Sequence, residues 1–134
     1  MSNRSVAESY FQAITRRDLE GALAAFAPGA EFIEPVGGVP FPDGVRAMLA
    51  GYDGAFPGSR FEIKLAIEAG DDVAIEGVWA GKHTGPMRLP DGRTIPATHK
   101  DVRAPFVTVF RVRDGKIASH RAYWDMAGMM AQLT

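Results

Sequence analysis

No cysteine occurs anywhere in the 134 residues. Disulfides, thiolate nucleophiles and cysteine-ligated metals are thereby excluded, and the composition fits a reducing cytoplasm. Neither sign of charge predominates: 15 Lys and Arg stand against 16 Asp and Glu, a formal net charge of -1. With no basic excess to neutralise phosphates, nucleic acid is not an expected partner. Long apolar runs are missing too. The chain opens Met1-Ser2-Asn3-Arg4 and passes straight into an amphipathic segment, so neither a secretory signal nor a membrane span is expected. His83, His99 and His120 lack ligand spacing, so no metal is expected. No phosphate-binding glycine loop precedes a helix and no G-x-S-x-G elbow appears, so no cofactor is implied.

What is present suits one domain, residues 1–134. Hydrophobic residues make up 46% and charged residues 23%, and a chain of this length buries roughly two thirds of its unfolded surface. Val6, Tyr10 and Ile14 recur every four residues, which predicts a helix capped by Asn3 or Ser5, with Arg16 and Arg17 in its last turn. Asp18 caps a second helix carrying Leu19, Leu23 and Phe26, which Pro28-Gly29 stops. A short strand covers Glu31 to Pro35. Asp43 or Gly44 opens a third helix through Val45, Met48, Leu49 and Tyr52. Phe61, Ile63, Leu65 and Ile67 alternate with polar residues, Gly70-Asp71-Asp72 turns, and Val73, Ile75, Gly77 and Trp79 follow. The stretch from Lys82 to Lys100, broken at Thr84-Gly85-Pro86 and Pro90-Asp91-Gly92, reads as a hairpin or long loop at a pocket rim. A short last helix is expected from Met126 to Gln132. The order is α+β: three N-terminal helices on one face of a bent, mostly antiparallel sheet, forming a cone with an apolar interior.

The hairpin from Phe106 to Asp125 turns at Arg113-Asp114-Gly115-Lys116. A two-residue turn sets Thr108 opposite Arg121; a three-residue turn with Gly115 left-handed sets it opposite His120. The three-residue form is the one expected here. It groups Phe106, Thr108 and Phe110 with His120, Ala122 and Trp124, and leaves Val107, Val109 and Ile117 on the other face. A sheet apolar on both faces asks for a second cover, hence a homodimer through the sheet.

Ala30-Glu31-Phe32-Ile33-Glu34-Pro35-Val36-Gly37-Gly38 carries the chemistry. Strand alternation puts Glu34 on the face of Phe32. If that face is the core, burial raises the carboxyl pKa towards neutrality and fits it to take a proton from carbon and return it. The other reading is a carboxylate that caps a loop or points to solvent.

Arg17-Asp18-Leu19-Glu20-Gly21, Glu34-Pro35-Val36-Gly37 and Lys116-Ile117-Ala118-Ser119-His120-Arg121-Ala122 resemble the nuclear-transport-factor-2-like superfamily, in its ketosteroid-isomerase and SnoaL-like polyketide-cyclase branches. The resemblance implies a cone-shaped, cystatin-like roll. It implies Glu34 as the catalytic carboxylate and Tyr10 as donor to the enolate oxygen. The isomerase's second donor, a protonated Asp, is matched here by Thr108, or by Val107 or Val109 if the register slips; His120 or Trp124 are the substitutes. The cyclase branch points instead to Asp125 as acid/base, with His83 in Gly81-Lys82-His83-Thr84-Gly85. The residues alone allow Asp125 as a helix cap. Phe26, Tyr52, Trp79 and Met48 read as core or as pocket lining. The candidate substrate-binding set is thus Phe26, Tyr52, Trp79, His83, Thr108, His120 and Trp124. The expected activity is cofactor-free proton transfer on a small hydrophobic carbonyl compound; the alternatives are a cyclase or a non-catalytic binding or dimerisation module of the same fold.

Overall fold

The computed structural model describes residues 1–35, 38–89 and 91–134. Val36 and Gly37, and Pro90 of the second interruption, lie outside the described residues. Helices α1 (Asn3–Thr15) and α2 (Leu19–Ala24) precede strand β1 (Phe26–Ile33) and helix α3 (Asp43–Ala55). Then come β2 (Arg60–Ala69), β3 (Asp72–Lys82), the two-residue strands β4 (Met87–Arg88) and β5 (Thr94–Ile95), β6 (Asp101–Arg113), β7 (Lys116–Trp124) and α4 (Met126–Ala131). The main sheet has the order β1-β7-β6-β3-β2, parallel only at β1–β7; β4 and β5 pair separately. No helix among the described residues is long and apolar enough to cross a membrane.

The amphipathic face read from Val6, Tyr10 and Ile14 is buried, with Ala7, Phe11 and Ala13 beside it. Its cap is Ser2, whose hydroxyl accepts from Ser5 N at 3.0 Å, one residue before Asn3. The helix ends at Thr15, short of the two arginines. Arg17 takes a left-handed φ of 61° and sends its guanidinium across to α3. It donates to Asp53 Oδ1 at 2.8 Å, to the carbonyls of Phe56 and Pro57, and to Ser59 Oγ at 2.9 Å. One cation therefore fastens the end of α1 to the end of α3. Asp18 caps α2 through Gly21 N at 2.9 Å.

Three expectations need correction. α2 ends at Ala24, so Phe26 stands in β1 and not on the helix; Pro28-Gly29 fall inside that strand, in the irregular stretch between the pairs Phe26–Ile117 and Glu31–Ser119. In β2, Lys64 is an extra residue between the pairs Ile63–Gly77 and Leu65–Glu76. A bulge shifts alternation by one. Phe61, Ile63 and Ala66 accordingly pack on the core, while Leu65 and Ile67 are exposed. The last hairpin has the two-residue turn: Arg113 pairs with Lys116, and Asp114 and Gly115 both have positive φ, 52° and 74°. Ala118 then bulges, so Thr108 faces Ala122 rather than either expected partner. The bulge moves the register by an even number of residues from the expected form, so the grouping of Phe106, Thr108 and Phe110 with His120 and Ala122 on the inner face survives. Ile117, on the turn side of the bulge, is inside as well and fully buried.

Phe110 stands at the centre of this core. Its ring lies 5.3–5.9 Å from those of Tyr10, Phe11 and His120. Beyond the end of β7, the free edge of β6 is covered by one side chain. Gln132 accepts from Arg103 N and donates to Arg103 O, both at 2.9 Å, as a neighbouring strand would. This bond pair holds α4 over the open end of the cone.

Candidate active site

The cone encloses a cavity of about 820 Å³. That lies in the range of small-molecule sites, roughly 300–1,000 Å³. Its wall comes from the inner face of the sheet (Trp79, Ala104, Phe106, Thr108, His120, Ala122, Trp124) and from α1 and α3 (Tyr10, Phe11, Ile14, Met48, Tyr52). Phe32 and Glu34 close one side; Pro86 to Leu89, with Pro86 and Arg88 exposed, stand at the solvent-facing mouth beside the half-buried Met126.

Glu34 follows the last residue of β1, as the alternation from Phe32 requires, and both side chains line the cavity. Phe32 is set firmly. It is opposite His120 in the β1–β7 register, and the rings stack at 4.4 Å. α3 lies against its other side: a Cβ on Gly44 would meet the Phe32 ring at 2.8 Å, so only glycine fits there.

The Glu34 carboxylate is 18% exposed. Its hydrogen bond is a long one, from Trp124 Nε1 at 3.4 Å. The nearest basic nitrogen, His120 Nε2, is 3.9 Å away. Burial raises the Glu34 pKa to about 7, and the indole contact offsets only part of that. Burial also depresses His120 to about 3, so the imidazole is neutral across the physiological range. Tyr10 and Tyr52 are both shifted upward, first by burial and then by the Glu34 charge, and stay protonated as donors. Tyr10 has no accessible surface, and its hydroxyl has no hydrogen-bond partner among the described residues; the same holds for Trp79 Nε1 and His120 Nδ1.

The structure thus brings Glu34, Tyr10, Tyr52, Trp79, Thr108, His120 and Trp124 to one cavity. Three candidates stand elsewhere. Asp125 is exposed and caps α4, accepting from Gly128 N at 2.9 Å. His83 is buried outside the lining, stacked on Phe56 at 5.1 Å, with Nδ1 accepting from Thr98 N at 3.2 Å. Phe26 is core, 4.8 Å from the Phe41 ring. The sequence reading missed Arg88 and Leu89 at the mouth. Their only signal was the predicted rim between Lys82 and Lys100. It also missed the bond from Trp124 to Glu34, which no local pattern encodes. Among the described residues no group of three His, Asp or Glu side chains is placed to hold a metal ion.

Comparisons with known proteins agree with this architecture. AclR of Streptomyces galilaeus, a candidate hydroxylase, superposes with a TM-score of 0.82 at 24% identity, over 98% of this chain and 83% of that one. IdmH of Streptomyces antibioticus, a candidate polyketide cyclase, gives 0.81 at 23% identity over 99% of both chains. A protein of ketosteroid-isomerase-like fold from Catenulispora acidiphila, solved with trimethylamine, gives 0.78 at 21% identity, over 98% of this chain and 93% of that one. At these identities the likeness is one of fold. A search of curated proteins gives no significant match. The model of the SnoaL-like domain matches residues 7–120. With the cone, the cavity and this match in place, the chain belongs to the SnoaL-like domain family.

Proposed function

We propose that this protein catalyses cofactor-free proton transfer on a hydrophobic carbonyl compound, with Glu34 as the base. The observation that carries the reading is a lone carboxylate inside an apolar cavity, with burial bringing its pKa to about 7. A base is most effective when its pKa lies near the working pH. In the proposed step the carboxylate takes a proton from the carbon next to the carbonyl. The C–H electron pair becomes the enolate double bond, and charge gathers on oxygen. Tyr10 O–H and the neutral His120 imidazole, which keeps one N–H donor, hydrogen-bond to that oxygen. Glu34 then returns the proton to another carbon. Since Tyr10 is covered by the cavity wall, this step includes a small adjustment of the wall that uncovers its hydroxyl.

The test uses a β,γ-unsaturated cyclic ketone in deuterated buffer, with conjugation read by absorbance and exchange by NMR. Glu34→Gln is expected to lower the rate by about 10²–10⁴-fold, while Asp125→Asn leaves it intact. Exchange that survives in Glu34→Gln overturns the reading. Inactivity of the folded wild type on a panel of such ketones favours the non-catalytic binding module.

The fold shared with IdmH gives a second reading, intramolecular aldol closure of a polyketide-like chain. On this geometry it too starts from Glu34, because Asp125 and His83 do not line the cavity. The enolate then attacks a second carbonyl of the same ligand. The product separates the two readings: a new ring against a shifted double bond. A homodimer is part of the proposal. The outer sheet face exposes Ile33, Leu65, Ile67 and Tyr123, apolar side chains spread from the β1 edge to the β2 edge that a second copy would cover.

A further inference from the structure

Among the described residues two charged side chains line the cavity, the largely buried Glu34 and the exposed Arg88. Glu34 lies beside His120, Trp124 and Phe32. Arg88 lies at the mouth, on the β4–β5 hairpin, between Met87 and Leu89, which also line it. Most of the chain's arginines have an acid: Arg17 has Asp53, Arg93 has Asp91, Arg103 has Glu62, Arg111 has Asp72. Arg88 is different. Among the described residues it makes no ion pair and no side-chain hydrogen bond, although Asp91 is on its own hairpin; that carboxylate is taken by Arg93 Nε at 2.7 Å.

We infer that the ligand of this cavity is a two-ended molecule: a hydrophobic body with an enolisable carbonyl at one end and a carboxylate at the other, held by Arg88 at the mouth. The inference rests on the proposed role of Glu34 and adds the substrate class. A neutral greasy ligand has no use for a free guanidinium on the rim. An anion has no other counter-charge in the lining, since His120 is neutral and the rest of the wall is apolar or uncharged. Placed at the mouth, the anion stays partly hydrated and meets a planar fork of donors that matches two carboxylate oxygens. The carbonyl end then goes inward, towards Glu34. Orientation follows from charge alone, because a carboxylate next to Glu34 would meet a like charge in a dry site.

A homologous series of (para-hydroxyphenyl)alkanoates of increasing chain length tests this, each compared with its methyl ester. The phenol stands in for the enolate end and the carboxylate for the far end; affinity is read by calorimetry. The expected result is one chain length at which the acid binds at least about fivefold more tightly than its ester. Arg88→Gln is expected to erase that preference, Arg88→Lys to keep part of it, and added salt to shrink it. Equal binding of acid and ester at every length overturns the inference and leaves the Glu34 reading standing. A preference that persists in Arg88→Gln also overturns it. Loss of binding by acids and esters alike, in a protein with wild-type melting behaviour, overturns both. A preference that Arg88→Gln erases, together with undiminished proton exchange in Glu34→Gln, supports the carboxylate ligand and removes only the proposed base.

Discussion

His120 Nε2 stands 3.9 Å from Glu34 Oε1 without forming an ion pair at neutral pH. Burial has inverted the usual order of the two groups. The carboxyl, near 7, takes a proton long before the imidazole, near 3. Between those values the pair is a neutral acid beside a neutral base. That state avoids leaving a net charge in the apolar wall, and it leaves both groups able to exchange hydrogen bonds with a ligand.

The first consequence concerns rate. Activity on an enolisable ketone is expected to rise with pH through an inflection near 7, as Glu34 loses its proton. A profile of kcat/KM against pH checks this. An ascending limb at 4 to 5, the value of a solvated glutamate, would show that the base is not shielded.

The second concerns stability. The folded state raises Glu34 from 4.5 to about 7, so it holds a proton that the unfolded chain has released. Stability is therefore expected to fall as pH climbs from about 4.5 to 7, by about 3 kcal/mol in all. His120 works in the other direction: its folded pKa lies below its unfolded one, and its contribution is lost as pH falls from about 6.5 to 3. Between 4.5 and 6.5 the two slopes oppose each other. Glu34→Gln removes one of them, so urea melts at pH 8 should show the variant more stable than wild type, with the gain vanishing below pH 4.5.

Tyr10→Phe separates the roles of a hydroxyl with no partner among the described residues. Removing an unpaired buried group is expected to leave stability unchanged or raise it by about 1 kcal/mol. Loss of a donor to the enolate is expected to lower kcat by about 10²-fold. Thermal melts and turnover on the same samples distinguish these effects. A marked loss of stability would show that the hydroxyl is bonded in solution.

Arg17→Ala is expected to cost about 2–4 kcal/mol, since it leaves the Phe56 and Pro57 carbonyls and the Asp53 carboxylate without their donor. Urea denaturation measures it. Arg17→Lys should recover only part, because an ammonium cannot span those acceptors as a guanidinium fork does.

Tyr123→Glu, on the outer face, is expected to leave the melting temperature of the protomer nearly unchanged and to shift sedimentation from dimer to monomer. A wild-type chain that sediments as a monomer would remove the second copy from the proposal.

Much of this protein is written in its local sequence. Helical spacing at Val6, Tyr10 and Ile14 was enough to find α1 and its buried face, because a 3.6-residue period needs no knowledge of the partner. The Asp18 cap was legible for the same reason, being a bond within a few residues; the last turn was located between Arg113 and Lys116, but its two-residue form was not the one expected. The Glu34 face followed from alternation with Phe32. Registers were not legible. Lys64 and Ala118 are extra residues fixed by neighbouring strands, and nothing local marks them. Leu65 and Ile67 looked like core for want of that information. Asp125 and His83 had the right residue types, yet a helix end claimed the first and packing against Phe56 the second. Composition and periodicity determined an α+β order with Glu34 on the strand face of Phe32, and left open whether that face was core or solvent. Which side chains share the cavity with that acid, how far its pKa rises, and that an arginine without an acid among the described residues stands at the mouth were decided only when strands distant in sequence were brought together, since desolvation and charge depend on what is near in space.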